Sequence, residues 1–325
     1  MRPKLGSRLA RMVTLTLIIV AAIAVLLYSA QWQVAPAEGA SQSAVLSSST
    51  IYLPVILLNR NQQRIAFEKW IKCPDGSSWG CQVELWTVNT DGAGLKRLTQ
   101  DYYDVGPAWS PNGEYIAFAR LGSAGEGIFA INYDGTNFRR ISSDQRAYYP
   151  QWVTNNRLVF TSPRGPEVQF TQQWRLVDIS LDTLYEQIID VGLSGAFSPA
   201  LSPDRQSIAF HAGDNYIYLT GLDGKNVTQL SSAQGPIQGY PRVWYPDGKF
   251  ILVGSGGNCF RVGLDGTMEP VFGIDECNIS WSPDRDSAVY QFNNGIWLMN
   301  SNGENKDLLV SPSDDSLYKN PVWSP

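Results

Sequence analysis

The sequence predicts an all-β protein, a six-bladed β-propeller of four-stranded blades. Three observations carry that expectation. A Trp-Ser-Pro-like motif recurs at Trp109, Trp152, Leu201, Trp244, Trp281 and Trp323, with spacings of 43, 49, 43, 37 and 42 residues. An Asp-Gly turn or its equivalent recurs in step, at Asp91, Asp134, Asp182, Asp223, Asp265 and Asn302. The pieces between these markers are short and β-rich, and Gly, Pro, Asn and Asp bound them. Four short strands in about 40–45 residues is the length of one propeller blade. A helical solenoid fails on segment length and on the many Gly and Pro breaks.

The elements before the repeat read as targeting. Arg2, Lys4, Arg8 and Arg11 precede an uncharged stretch, Met12 to Ala30, with no acid before it. It is long for a signal-peptide core and just long enough to span a membrane as a helix. Residues 1–30 are therefore expected to be a hydrophobic helix, a signal peptide or a transmembrane signal anchor. "APA" at Ala35 to Ala37 offers a cleavage site. The positive flank puts the N-terminus in the cytoplasm and the body outside it. Residues 31–60 read as a polar linker followed by an edge segment, Ile51 to Leu58, which is too short to span.

The propeller is expected over residues 61–325. Its second strand recurs as "RIAFE", "YIAFA", "RLVFT", "SIAFH", "FILVG" and "SAVYQ". In the second unit the strands are expected at "PAW", Tyr115 to Arg120, Gly127 to Asn132 and Phe138 to Ser142. Turns of the "SPNGE" and Asp-Gly type join them, because Gly, Asn and Asp accept positive φ. The first unit, with strands at 64–68, 84–88 and 95–99, has no Trp-Ser-Pro piece before Arg64. "PVWSP", Pro321 to Pro325, is expected to supply it, so that the C-terminal strand closes the ring and leaves no open seam.

This repeat, Pro-x-Trp-Ser-Pro-Asp/Asn-Gly followed by Ile-Ala-Phe and later Asp-Gly and Leu-Thr, resembles the WD-like repeat of TolB-type six-bladed propellers. It also resembles the propellers of prolyl-oligopeptidase relatives. The resemblance covers residues 61–325 and implies the architecture more than a function, since such rings serve many purposes. Two departures stand out. The first 60 residues cannot supply the α/β domain that TolB carries N-terminally. No Gly-x-Ser-x-Gly elbow marks a hydrolase; "GLSG" at Gly192 to Gly195 lacks the spacing.

Charge and composition narrow the function. Net charge is −5, and removing the basic N-terminus leaves 21 basic against 30 acidic side chains. That disfavours nucleic acid or an anionic membrane surface as a partner of the body, so contact with membrane is expected only through the N-terminal segment. The single histidine, His211, precludes a His-rich metal site and is read as structural or merely exposed. The carboxylates sit mostly in turns, where hydrogen bonding to the next backbone amides explains Asp91, Asp134, Asp204, Asp223, Asp247, Asp265 and Asp284. No catalytic, metal or cofactor residues are assigned. The five repeat tryptophans are expected to pack between blades. Four cysteines allow three pairings. Loops between the second and third strands and between blades share one face of a propeller, so the expected bridges are Cys73–Cys81 and Cys259–Cys277. Both suit an exported protein.

The loop-rich top face is the expected binding surface. Tyr102, Tyr103, Tyr148, Tyr149, Tyr240 and Tyr318 precede innermost strands and should surround the channel mouth, joined by Trp70 and Trp79. Arg120, Arg146, Arg164 and Arg242 are the cations expected near it. The expected function is a non-catalytic, extracytoplasmic binding module for an envelope or extracellular protein, a peptide or a glycan. A structural or assembly scaffold of the envelope is the alternative, and a propeller glycosidase or lyase stands behind both.

Overall fold

A computed structural model describes residues 63–73, 79–122, 125–163, 174–232, 235–271 and 277–325. The expected N-terminal helix and the Ile51–Leu58 edge segment lie outside the described residues. Twenty-six strands follow one another, with no α-helix among the described residues.

The strands come in groups. The first group is β1 (Arg64–Lys72), β2 (Trp79–Asn89) and β3 (Lys96–Arg97). Next come β4 (Tyr103–Trp109), β5 (Tyr115–Leu121), β6 (Gly127–Asn132) and β7 (Arg139–Arg140). The third group is β8 (Tyr148–Thr154), β9 (Arg157–Ser162), β10 (Arg175–Ser180) and β11 (Tyr185–Ile189). The fourth is β12 (Ala196–Leu201), β13 (Ser207–Ala212), β14 (Ile217–Gly221) and β15 (Thr228–Gln229). A small hairpin, β16 (Ser231–Ser232) and β17 (Gly235–Pro236), leads into β18 (Tyr240–Trp244), β19 (Phe250–Ser255), β20 (Asn258–Gly263) and β21 (Met268–Val271). The last strands are β22 (Ile279–Trp281), β23 (Ser287–Phe292), β24 (Gly295–Asn300), β25 (Asp307–Val310) and β26 (Ser316–Trp323).

Within each group the chain meanders antiparallel. Four groups form separate four-stranded sheets. The remaining strands form an eight-stranded sheet that is itself two meanders, β26-β1-β2-β3 and β4-β5-β6-β7, joined by one parallel pairing, Val83 with Tyr103. The C-terminal strand thus pairs with the first strand, Ile65 opposite Trp323 and Ala66 opposite Val322, as the sequence led us to expect. The outermost strands are shorter than expected. In place of Phe138 to Ser142 the regular ladder spans only Arg139 and Arg140; beyond it Ile141 and Ser142 are buried, and Ile128 accepts from Ile141 N at 2.9 Å and donates its N–H to Ser142 Oγ at 2.9 Å.

The second strands explain why the sheets stack. Their residues are buried on both faces, so the sequence runs apolar without a break, as in "IAF". Alternation then sends the first and third residues of each triplet one way and the middle residue the other. Ile116 and Phe118 pack back against Ala66 and Leu85 of the first group, while Ala117 and Ala119 pack forward against Leu158 and Phe160. Val159 packs forward against Ile208 and Phe210, and Ala209 against Ile251 and Val253. Leu252 meets Ala288 and Tyr290. Val289 then meets Ile65 and Phe67, which returns the series to the first strand. The result is an all-β propeller fold.

The turns follow the expected chemistry. Each of the seven turn aspartates accepts from the backbone N–H two residues on, at 2.9–3.2 Å. In five of those turns the residue after the Asp is Gly at φ 69–87°, where any side chain would be strained.

Candidate functional site

The innermost strands β4, β8, β12, β18, β22 and β26 line two cavities end to end. The upper, about 430 Å³, opens where these strands begin. The lower, about 510 Å³, opens where they end. Pro107, Gln151, Arg242, Ile279 and Val322 line both, so the two form one axial channel.

The upper cavity owes its shape to a repeated irregularity. In β4, β8, β12 and β26 the register slips by one residue at an x-Pro pair. The residue before the proline sits at positive φ: Gly106 at 64°, Tyr149 at 56°, Ser198 at 55° and Asn320 at 47°. Proline has no N–H to lose from the ladder, which makes an x-Pro pair a natural place for a bulge. In β18 the extra residue is Arg242, between Pro241 opposite Val253 and Val243 opposite Leu252. A bulge bends its strand and re-aims side chains, here toward the channel.

One acid organises this end. Glu68 of β1 is fully buried. Its Oε1 accepts from Gly106 N and Asn320 Nδ2, both at 2.7 Å, and its Oε2 accepts from Trp70 Nε1 at 2.7 Å. Burial raises its pKa above the ordinary carboxylate value, opposed by these hydrogen bonds and by the Lys319 charge. Glu68 therefore ties two bulges, from β4 and β26, to the strand between them. The same repeat position holds Ala119, Thr161, His211, Gly254 and Gln291 in the other second strands. Thr161 Oγ1 and His211 Nδ1 are buried there without a hydrogen-bond partner among the described residues.

Four of the expected aromatics meet at the upper cavity: Trp70, Tyr103, Tyr148 and Tyr149. Trp70 and Tyr103 pack edge to face at 5.5 Å, and Tyr148 lies 6.3 Å from Tyr149 and 5.5 Å from Trp174. Tyr149 is 46% exposed, whereas partial burial raises the phenol pKa of Tyr103 and Tyr148. Tyr102, Tyr240 and Tyr318 are also partly exposed but do not line the cavity. Tyr102 covers the Arg120 guanidinium at 3.6 Å, and Arg120 is buried in a two-pronged pair with Asp104 at 2.7 and 2.8 Å. Tyr240 stacks on His211 at 4.4 Å, with Phe197 at 4.5 Å on the same ring. That burial lowers the His211 pKa to about 4, against a smaller opposing pull from Asp214. Tyr318 packs edge-on against Phe67 at 5.5 Å. The Trp79 side chain and Arg164 lie outside the described residues. Arg146 does not line the channel, and Arg242 does.

Sequence reasoning missed Glu68, Asn320, Gly106 and Gln151. A signal was available for Glu68: it is the one charged carboxylate at a repeat position otherwise filled by Ala, Thr, His, Gly or Gln. The x-Pro pair ahead of the tryptophan was equally visible as a potential bulge.

At the lower end the repeat tryptophans stitch adjacent innermost strands. Trp152 Nε1 donates to Ala108 O at 2.9 Å, Trp244 to Ala200 O at 2.9 Å and Trp109 to Val322 O at 3.2 Å. These three are buried, as expected of residues packed between sheets. Trp281 and Trp323 are only half-buried, and all five also line the lower cavity.

Both expected disulfides are formed. Cys73–Cys81 closes the β1–β2 connection, with Cα atoms 5.1 Å apart. Cys259–Cys277, with Cα atoms 5.5 Å apart, fixes β20 to the segment entering β22, and Cys277 lines the upper cavity. Among the described residues no cluster of three or more His, Cys, Asp or Glu side chains is placed to hold a metal ion.

No protein-family model matches this chain, and no curated protein matches it. Solved structures do. TolB from Acinetobacter baumannii aligns with TM-score 0.60 and 19% identity, covering 82% of this chain and 68% of that one. A putative TolB from Agrobacterium tumefaciens aligns with TM-score 0.52 and 15% identity, covering 81% and 99%. Hydrazine synthase from Kuenenia stuttgartiensis aligns with TM-score 0.62 and 16% identity, covering 80% of this chain but 46% of that one. At these identities the likeness is one of fold: a TolB-like β-propeller.

Proposed function

We propose that this chain is an extracytoplasmic binding module, a six-bladed propeller over residues 61–325 that takes a protein segment, peptide or glycan into the upper end of its channel. The six blades are supported by the repeat and by the run of hydrophobic clusters that returns from Val289 to Ile65. Residues 1–30 would export or anchor it and residues 31–60 would link it to the propeller. Two disulfides fit a site outside the reducing cytoplasm.

The observation that carries the reading is the upper cavity. It combines aromatic surface from Trp70, Tyr103, Tyr148 and Tyr149 with polar groups from Gln151, Asn278, Asn320 and Arg242. Rigid aromatic area with a polar tip and a few fixed hydrogen-bonding groups is the composition of a recognition site. The bulged backbone beneath it holds non-glycine residues at positive φ, which stores strain where side chains must be aimed.

Glycan and peptide arrays probed with the whole chain test this. A ligand should be found that binds the Tyr148→Ala/Tyr149→Ala variant at least about tenfold more weakly. If no ligand is found, or ligands bind the variant equally well, the scaffold reading takes its place. That alternative draws on Tyr102 and Tyr240, whose rings are already engaged by Arg120 and His211.

A further inference from the structure

We propose that the upper cavity, granted the binding role proposed above, takes an uncharged saccharide. At about 430 Å³ the cavity is of a size that encloses a small ligand. Its wall offers ring surface and neutral amides more than charge, for only Glu68 and Arg242 among its lining side chains are charged. Glu68 is fully buried, and its carboxylate already accepts from Trp70, Gly106 and Asn320. Arg242 lies over Gly254, where a Cβ would stand 3.2 Å from its Nε and 3.3 Å from Cys277 Sγ. A pyranose ring carries C–H groups on its faces and hydroxyls around its rim, so it suits a wall that supplies aromatic area and neutral polar groups together.

The two kinds of group are brought together by the fold. Trp70 donates its one indole N–H to Glu68 Oε2 at 2.7 Å, so it can meet a ligand only through its rings. Tyr103 packs edge to face with it at 5.5 Å, and Tyr148 and Tyr149 continue the aromatic lining from β8. The same carboxylate holds Asn320 Nδ2 at 2.7 Å, which sets an amide beside the indole. Asn278 Nδ2 is likewise used, donating to Gln291 Oε1 at 2.9 Å. Neither asparagine Oδ1 has a hydrogen-bond partner among the described residues, and the Gln151 amide has none at either atom. Amide oxygens accept and amide nitrogens donate, and a hydroxyl can answer both.

A peptide is the less suited occupant, because the main-chain pairing that peptides make with a sheet edge is blocked here. β8, β12, β18, β22 and β26 each end their sheet, and the edge without a partner borders the channel. Pro150, Pro199, Pro241 and Pro321 interrupt four of them, and β22 is only three residues long. A register shift accompanies each of those prolines. β4, the remaining innermost strand, has Pro107 and the same shift. Proline offers no N–H and a bulge breaks the alternation of donors and acceptors, so no run is left for an added strand.

Saturation-transfer NMR and titration calorimetry of the whole chain test this. The probes are neutral disaccharides (cellobiose, lactose and diacetylchitobiose), glucuronic acid and a tripeptide library, each offered separately. At least one neutral disaccharide should bind, with saturation strongest on its ring C–H protons. Gln151→Leu should weaken that binding about tenfold at an unchanged melting temperature, since the amide bonds to nothing in the fold. Unchanged affinity in this variant would overturn the assignment, and so would binding of glucuronic acid with no neutral disaccharide bound. If only tripeptides bind, and Tyr148→Ala/Tyr149→Ala weakens them, the saccharide is wrong while the binding module stands. If no probe binds, both readings fall.

Discussion

The same innermost strands build both ends of the channel, yet the two ends are made differently. The lower end is regular. A tryptophan closes each strand but one, and indole N–H groups bridge to the neighbouring strand's carbonyl at Trp109, Trp152 and Trp244. The upper end is irregular. The second-strand position nearest to it changes from Glu68 to Ala119, Thr161, His211, Gly254 and Gln291, and bulges break the ladder beside it. Repetition suits a junction that must hold every pair of sheets together. Departure from the repeat gives the upper end a lining that changes from one sheet to the next, as the recognition proposed for it would require.

Removing the strand that links the two ends should have the largest effect. Without residues 316–325, β1 loses one of its two antiparallel partners and keeps only β2, Glu68 loses the Asn320 amide, and Trp109 loses the Val322 carbonyl. We expect no cooperative unfolding transition by calorimetry, and aggregation through the exposed β1 edge. A normal transition would mean that the junction at β26 is dispensable.

Within the lower end, Trp152→Ala should cost about 3–5 kcal/mol, measured by denaturant unfolding. Trp152 is 4% exposed, belongs to the cluster joining the second and third groups, and donates to Ala108 O. Trp281→Ala should cost less. Trp281 is half-buried and its Nε1 has no acceptor among the described residues. Equal losses would show that the indole bridges add nothing to packing.

This contrast also separates what the sequence makes legible from what it hides. The lower end could be read because its chemistry is local and repeated: Trp-Ser-Pro, Asp-Gly and the alternating Ile-Ala-Phe triplet each declare their structure within a few residues. The disulfides could be read because strand order alone puts Cys73 with Cys81 and Cys259 with Cys277 on one face. The upper cavity was legible only in part. Tyr103, Tyr148 and Tyr149 were found from their place before an innermost strand. Tyr102 and Tyr240 share that place yet turn to Arg120 and His211; Tyr102 and Tyr103 are consecutive, so alternation along the chain sends their rings apart. Glu68 stood out at its repeat position, but its role was hidden because its partners, Gly106 and Asn320, are 38 and 252 residues away.

Glu68 and His211 occupy the same repeat position and should give opposite pH dependence. Burial lowers the His211 pKa to about 4 from 6.5, so the fold binds its proton less tightly than the unfolded chain does. Stability should therefore fall as pH drops from about 6.5 toward 4, by about 3 kcal/mol at most. His211→Leu should remove that decline. Glu68 has a raised pKa, so the folded state binds its proton more tightly. Its contribution should be largest below the ordinary carboxylate value and decrease as pH rises through the raised one. Relative to Glu68→Gln, the wild type should thus lose stability toward higher pH. Unfolding at several pH values checks both, and parallel curves for wild type and variant would contradict the assignment.

The smallest effect concerns two residues at equivalent bulges. Gly106 and Tyr149 share a positive φ before a proline, at 64° and 56°. A Cβ at Gly106 would meet nothing within 4 Å, so Gly106→Ala introduces backbone strain without a clash. We expect it to destabilise by about 1 kcal/mol. Tyr149→Gly is the reverse change, and its 46% exposed ring contributes little packing. It should stabilise by a similar, somewhat smaller amount while weakening the ligand found for the upper cavity. Opposite signs in stability and binding would show that the tyrosine is held in a strained backbone for recognition. If Tyr149→Gly instead lowered stability, the ring would be part of the packing around Tyr148, and the upper end would differ from the lower in geometry alone.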